Sequence, residues 1–229
     1  MQISEIITTL DEGLNDPNIF KAIFVAGPPG AGKDVVIKKL GLNNQGLKLQ
    51  DIDHTLAFLN KRVAPTNPNY ERGLDVTLRR QSVFEKSMLG LMINTTGRNY
   101  ENLMQLNKKL KAVGYDTFML FVDVEYDVAF QRIQDRPTSA TDKKDIGRKV
   151  DFEYFEDAYE ESKKNIDFYA LMFDDQFALV TNNVRIVKED VDQEIFQKTL
   201  TVAAKKVTRF LRKPLSPKAQ QIVSQLKSQ

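Results

Sequence analysis

Apolar residues recur at helical spacing at the start of the chain, at Ile3, Ile6, Ile7, Leu10 and Leu14. The spacing predicts an amphipathic helix that ends near Asn15-Asp16-Pro17. The pattern then changes to short, unbroken apolar runs. These predict strands at about 20–26, 47–53, 89–94, 117–122 and 177–180. Helical patterns separate them: one directly after the first strand, one over roughly 73–88, and one marked by Leu103, Leu106, Leu110 and Val113 and closed by Gly114. Two more cover 125–135, stopped by Pro137, and 151–170, which is strongly acidic on one side. Residues 55–72 hold Pro65 and Pro68 with little periodicity and predict an irregular insertion, while 138–149 is polar and basic with no face that could form a core. A helix near 189–212 follows the last strand. Beyond Pro214 and Pro217, a short helix places Ala219, Ile222, Val223 and Leu226 at i, i+3, i+4 and i+7. Apolar strands that alternate with helices argue for a parallel sheet covered on both faces. The expected fold is α/β, a three-layer sandwich on a five-stranded parallel sheet. Residues 1–212 are read as one domain and 213–229 as a basic helical C-terminal extension.

At 229 residues the chain is long enough for one such domain with a substantial core. No apolar stretch approaches the ~20 residues of a membrane span. The opening Met1-Gln2-Ile3-Ser4-Glu5 lacks the basic-then-apolar layout of a secretory signal, so the expected location is cytoplasmic, with no membrane partner. The absence of cysteine excludes disulfides and thiolate zinc sites. A single histidine, His54, gives little basis for a histidine metal site or a Ser-His-Asp triad.

Net charge is +2, but it is unevenly placed. From Ile195 to Gln229 there are eight Lys or Arg and no acid, which leaves 25 basic and 31 acidic side chains, a net of −6, on the other 194 residues. A basic end on an acidic body can be a solvated helix face, can dock on the protein's own body, or can meet nucleic acid or an acidic partner.

Candidate chemistry begins at Gly27-Pro28-Pro29-Gly30-Ala31-Gly32-Lys33-Asp34. This is the phosphate-binding pattern G-x-x-x-x-G-K, complete except for the Ser or Thr that normally follows the lysine. It stands between the strand Ala22-Ile23-Phe24-Val25-Ala26 and a helix that opens with Val35-Val36-Ile37, as the chemistry requires. Small residues let successive N–H groups turn around a phosphate, and the helix N-terminus adds its partial positive charge. Lys33 can reach the β- and γ-phosphates of a nucleotide. At the end of the second predicted strand, Asp51 and Asp53 fall on one face by alternation, in the crevice where parallel sheets bind ligands. One such carboxylate could take the proton of an alcohol that accepts a phosphoryl group. Strand-end or capping aspartates are the plainer reading.

The order of these features resembles the zeta-toxin family of P-loop kinases. The P-loop and Ile52-Asp53 carry part of the likeness. The stretch Ile93-Asn94-Thr95-Thr96-Gly97-Arg98-Asn99, followed by a helix and Gly114-Tyr115, is similar to the family's E-G-T-x-R segment and Gly-Tyr turn. Arg136, then Gly147-Arg148-Lys149-Val150 and an acidic aromatic helix, complete it. The resemblance spans roughly residues 20–185. It implies an ATP- and magnesium-dependent kinase acting on a hydroxyl of a small, nucleotide-like acceptor. Lys33 would hold the phosphates, Asp53 would act as base, and Arg136 and Arg148 would neutralise the transferring phosphoryl group. It also raises an antitoxin-like protein partner.

Two departures qualify the likeness. The family's Ser or Thr that ligates magnesium is Asp34 here, and the family's strand-three carboxylate is Asn94. One carboxylate is gained and one lost, so Asp34 is the expected metal ligand; alternatively Asp34 pairs with Lys33 and weakens the site. The family's Arg and His-Pro after the base are also missing, since His54-Thr55-Leu56 follows Asp53 directly. The family acceptor, a UDP-linked amino sugar, is therefore one candidate among several. A nucleoside or nucleotide kinase, or a nucleotide-binding assembly protein with a decayed site, remains open beside it.

Overall fold

The computed structural model describes residues 16–58, 68–135, 150–185 and 190–228. Five parallel strands form one sheet in the order β2-β3-β1-β4-β5. They are β1 (Lys21–Ala26), β2 (Lys48–Gln50), β3 (Leu91–Asn94), β4 (Asp116–Asp123) and β5 (Phe177–Thr181). The helices are α1 (Lys33–Lys39), α2 (Ile52–Phe58), α3 (Pro68–Lys86), α4 (Tyr100–Ala112), α5 (Tyr126–Gln134), α6 (Phe152–Lys164), α7 (Ile166–Phe173), α8 (Asp190–Arg212) and α9 (Pro217–Lys227).

Strand alternation divides the core in two. Ile23, Val25, Phe118, Leu120 and Val122 face one side, packed with Val36 of α1, Phe155 of α6 and the α8 stripe Phe196, Leu200, Ala203, Val207 and Phe210. Ala22, Phe24, Ala26, Met119 and Phe121 face the other, against Leu103 and Leu110 of α4 and Tyr169 and Phe173 of α7. Both sheet faces are thus covered, which is why the strands read as continuous apolar runs. Ala219 of α9 is fully buried in the second core, with Leu215, Ile222 and Val223 packed around it. Ser216 and Lys218 also bond to the carbonyls of Gly114 and Ala112, so the final helix is seated on the body. Among the described residues no helix is long and apolar enough to cross a membrane.

Several expectations are corrected. The second strand stops at Gln50, because Asp51 caps α2: its Oδ1 accepts the N–H of His54 at 3.0 Å and its carbonyl accepts that of Thr55. Asp51 and Asp53 therefore do not share a strand face. The supposed irregular insertion is entered by α2 and left by α3, which begins at Pro68, a residue suited to a first helical turn. The acidic helix is two helices that meet at Asn165. The predicted N-terminal helix, Arg136, Arg148 and the basic segment around them lie outside the described residues.

Candidate active site

The P-loop joins β1 to α1, and its backbone requires glycine. Gly30 has φ +82°, and a Cβ there would lie 2.4 Å from the carbonyl oxygen of Ala129. Gly32, the N-cap of α1, has φ +80° and would meet the Asn182 side chain at 2.5 Å. Residues 27–31 are buried, and two side chains from distant elements hold them from behind. Arg132 of α5 donates to the carbonyls of Gly30 (2.9 Å), Asn182 (3.0 Å) and Val184 (2.8 Å). Asn182, just past β5, donates to the carbonyl of Ala31 at 2.8 Å. Arg132, in the last turn of α5, is thus a half-buried brace of the loop.

Lys33 folds over the loop it ends, donating to the carbonyls of Gly27 (2.8 Å) and Pro28 (3.4 Å). It also lines a cavity of about 450 Å³ shared with Asp51, Asp53, Asn94, Thr96 and Arg98. Tertiary structure therefore brings the loop lysine, the carboxylates after β2 and the segment after β3 to one space. Asp53 stands exposed in the first turn of α2. Asn94 donates to Asp51, and its own Oδ1 is buried with no partner among the described residues. Asp34 is exposed in the first turn of α1, is not among the residues lining the cavity, and forms no ion pair among the described residues. His54 is exposed, and its backbone N–H serves the Asp51 cap. Asp123, at the end of β4, pairs with Lys163 and accepts the N–H of Val124, while Glu125 takes the N-cap position of α5.

The loop after β3 is held from α6 and α7 by a clamp that the sequence does not reveal. Ser162 donates to the carbonyl of Thr96 (2.7 Å), Asn165 to those of Gly97 (3.2 Å) and Arg98 (2.9 Å), and Tyr169 to Gly97 (2.7 Å). All three side chains are buried, and burial pushes the Tyr169 hydroxyl well above its usual range, so it stays a donor. The carbonyls of 96–98 are thereby engaged on the α6–α7 side, while the Thr95, Thr96 and Arg98 residues border the cavity. Arg98 also lies over the Tyr154 ring, 4.9 Å from its centroid, and pairs with Asp157 at 2.7 Å. No signal in the sequence pointed to Ser162, Asn165 or Tyr169, since each is an ordinary helix residue until the fold brings it to the loop.

The donor set suits magnesium. Asp51, Asp53 and the unpartnered Oδ1 of Asn94 are hard oxygen donors. Among the described residues no three His, Cys, Asp or Glu gather into a cage. That arrangement fits a cation held by one or two protein oxygens, with phosphate oxygens and water completing its shell.

Residues 79–201, more than half of the chain, match the family described as Zeta toxin. The match starts after the P-loop and Asp53, so those rest on their own geometry. No curated protein matches the chain in sequence. Many solved structures share the fold, three of them as follows. One belongs to the PezAT chromosomal toxin–antitoxin system of Streptococcus pneumoniae: 15% identity, TM-score 0.53, covering 92% of this chain and 95% of that one. Another is a candidate kinase of Chloroflexus aurantiacus, 12% identical with a TM-score of 0.55, covering 86% of this chain and all of the other. The third is AvrRxo1-ORF1:-ORF2 with ATP, 11% identical with a TM-score of 0.54, covering 85% and 70%.

Proposed function

Because this chain belongs to the Zeta toxin family, we propose that it is an ATP-dependent kinase that phosphorylates a hydroxyl of a small, nucleotide-like acceptor. The observation that carries the reading is the single cavity bordered by Lys33 of the P-loop, by Asp51 and Asp53, and by the loop after β3. A phosphate donor and an alcohol can meet there.

In the reading, ATP lies with its phosphates along residues 27–34. The first turn of α1 has no side-chain cap, so its N–H groups need a partner, and phosphate oxygens supply it. Lys33 exchanges the Gly27 and Pro28 carbonyls for β- and γ-phosphate oxygens. Asp53 takes the proton from the acceptor hydroxyl as its oxygen bonds to the γ-phosphorus and the bond to the ADP oxygen breaks. Arg136 and Arg148 would neutralise charge on the transferring phosphoryl group, a role for which a planar, permanently charged fork is suited. Magnesium, when bound, neutralises phosphate charge, and Asp34, with Asp51 and Asn94 on the cavity side, would hold it. Arg98 and its neighbours would orient the acceptor.

A protein partner is also part of the proposal, because the similar PezAT structure comes from a toxin–antitoxin system.

The test is to incubate the purified chain with γ-labelled ATP, magnesium and a metabolite extract, and to identify what becomes labelled. The Lys33→Ala variant should label nothing and should lose most ATP binding by calorimetry. Wild-type ATP affinity in that variant would make the loop structural. Wild-type protein that binds ATP and labels no acceptor would favour the decayed, binding-only reading.

A further inference from the structure

The charge of α8 changes along its length. Asp190, Asp192 and Glu194 open the helix, and no acid follows from Ile195 to the end of the chain. The inner face is the buried stripe already described. Two of the eight cations beyond Ile195 turn back onto the body: Lys206 donates to the Phe177 carbonyl at 2.9 Å, and Lys218 to that of Ala112. Lys198, Lys205, Arg209 and Arg212 do not. They are exposed and spaced so that they share the outer face of the helix, and the exposed Lys213 follows directly after its end. None of these five forms an ion pair among the described residues. Lys205, Thr208, Arg209, Arg212 and Lys213 line a shallow, open depression. From Lys198 to Arg212 the row is about 21 Å long at the rise of an α-helix.

Some exposed cations elsewhere on the protein sit beside acids. Lys164 on α6 pairs with Glu160 and Glu161, and Arg79 on α3 pairs with Asp75. On α8 the helical neighbours Lys205–Arg209 and Arg209–Arg212 are alike in charge and repel one another. The repulsion is relieved when an extended anion lies along the row.

We propose that this face of α8 binds the sugar–phosphate backbone of duplex DNA without reading its sequence. A duplex presents one phosphate charge per ~1.7 Å of axis on a rigid lattice, so the row can be met without ordering a flexible partner, a cost that an acidic peptide would bear. The aromatic residues of this half of α8, Phe196 and Phe210, are buried, so the stacking platform of a single-strand binder is missing. Val202 is the exposed large apolar residue within the row, too little for the broad apolar face of a membrane-surface helix. The row contributes nothing to the lining of the Lys33 cavity, so the proposal is independent of the kinase reading.

The experiment is fluorescence anisotropy of a labelled, random-sequence DNA duplex with the full chain, at salt between about 50 and 200 mM. Binding should weaken with salt, with a slope of about −4 in log K against log salt, as expected when four or five cations each meet a phosphate. The variant Lys205→Glu, Arg209→Glu, Arg212→Glu should lose at least tenfold in affinity while keeping its ATP affinity and circular dichroism. If it folds poorly, Lys205→Gln, Arg209→Gln, Arg212→Gln should show the same direction of loss. No binding at the lowest salt overturns the proposal, as does unchanged affinity in the folded variants. Tighter binding to duplex RNA, to polyglutamate or to anionic vesicles than to duplex DNA would assign the face to that partner and also overturn it.

Discussion

Asn94, the last residue of β3, donates its side-chain amide to the carboxylate of Asp51, the first residue beyond β2. The other oxygen of that carboxylate takes the N–H of His54. Asp51 thus holds the end of one strand to its neighbour and starts α2, while Asp53, two residues on, stands at the cavity without a place in that linkage.

Asp53→Asn should spare ATP binding and lower turnover by roughly 10²–10⁴, the usual worth of a positioned base. Asp51→Ala should instead act first on stability, by about 0.5–2 kcal/mol for a lost helix cap. Calorimetry, turnover and thermal melts of the two variants separate these effects. A fully active Asp53→Asn beside an inactive, stable Asp51→Asn would move the base to Asp51.

Asn94→Glu places a second carboxylate against Asp51, so its melting temperature should fall in chelator and recover when magnesium is added. Asp34→Ser alone should weaken magnesium-dependent activity. If the two positions share the metal-side charge, the double variant should recover much of what each single change loses, with a coupling of about 0.5–3 kcal/mol in a double-mutant cycle. Strictly additive effects would sink the exchange.

Arg136→Ala and Arg148→Ala should depress turnover more than ATP affinity, because charge neutralisation is wanted most as the phosphoryl group moves. Turnover at saturating ATP that stays intact while affinity drops would mark both as nucleotide anchors.

Asn165→Ala removes a buried donor from two loop carbonyls and should cost about 1–3 kcal/mol. Hydrogen exchange at Gly97 and Arg98, followed by NMR, should speed up in this variant, while exchange in β1 changes only by the global loss of stability. Unchanged exchange at 97–98 would show that the clamp does not order the loop.

Ending the chain at Lys213 uncovers the site of Ala219 and the contacts of Leu215, Ile222 and Val223. At roughly 1 kcal/mol for each partly buried apolar side chain, the melting temperature should fall by about 5–10 °C in a protein of this size. An unchanged melt would show that α9 sits on the body without contributing to it.

What the sequence determined by itself was whatever depends on neighbours in the chain. The run Gly27 to Lys33 declares a phosphate loop because glycine spacing, the preceding apolar strand and the following helix are local properties. The continuous apolar strands declare a sheet buried on both faces for the same reason. Even so, the place of Asp51 stayed open between strand end and helix cap, because the two look alike until the partner strand is in place. Tertiary structure alone decided the contacts made across long stretches of chain: Arg132 bracing Gly30, Ser162, Asn165 and Tyr169 holding the loop at 96–98, Asn94 meeting Asp51, and Ala219 closing the lower core. Arg132, Ser162, Asn165 and Tyr169 carry no local mark of their role. A hydrogen bond depends on position and direction in space, and residues 43 to 102 apart acquire both only when the sheet and its helices have packed.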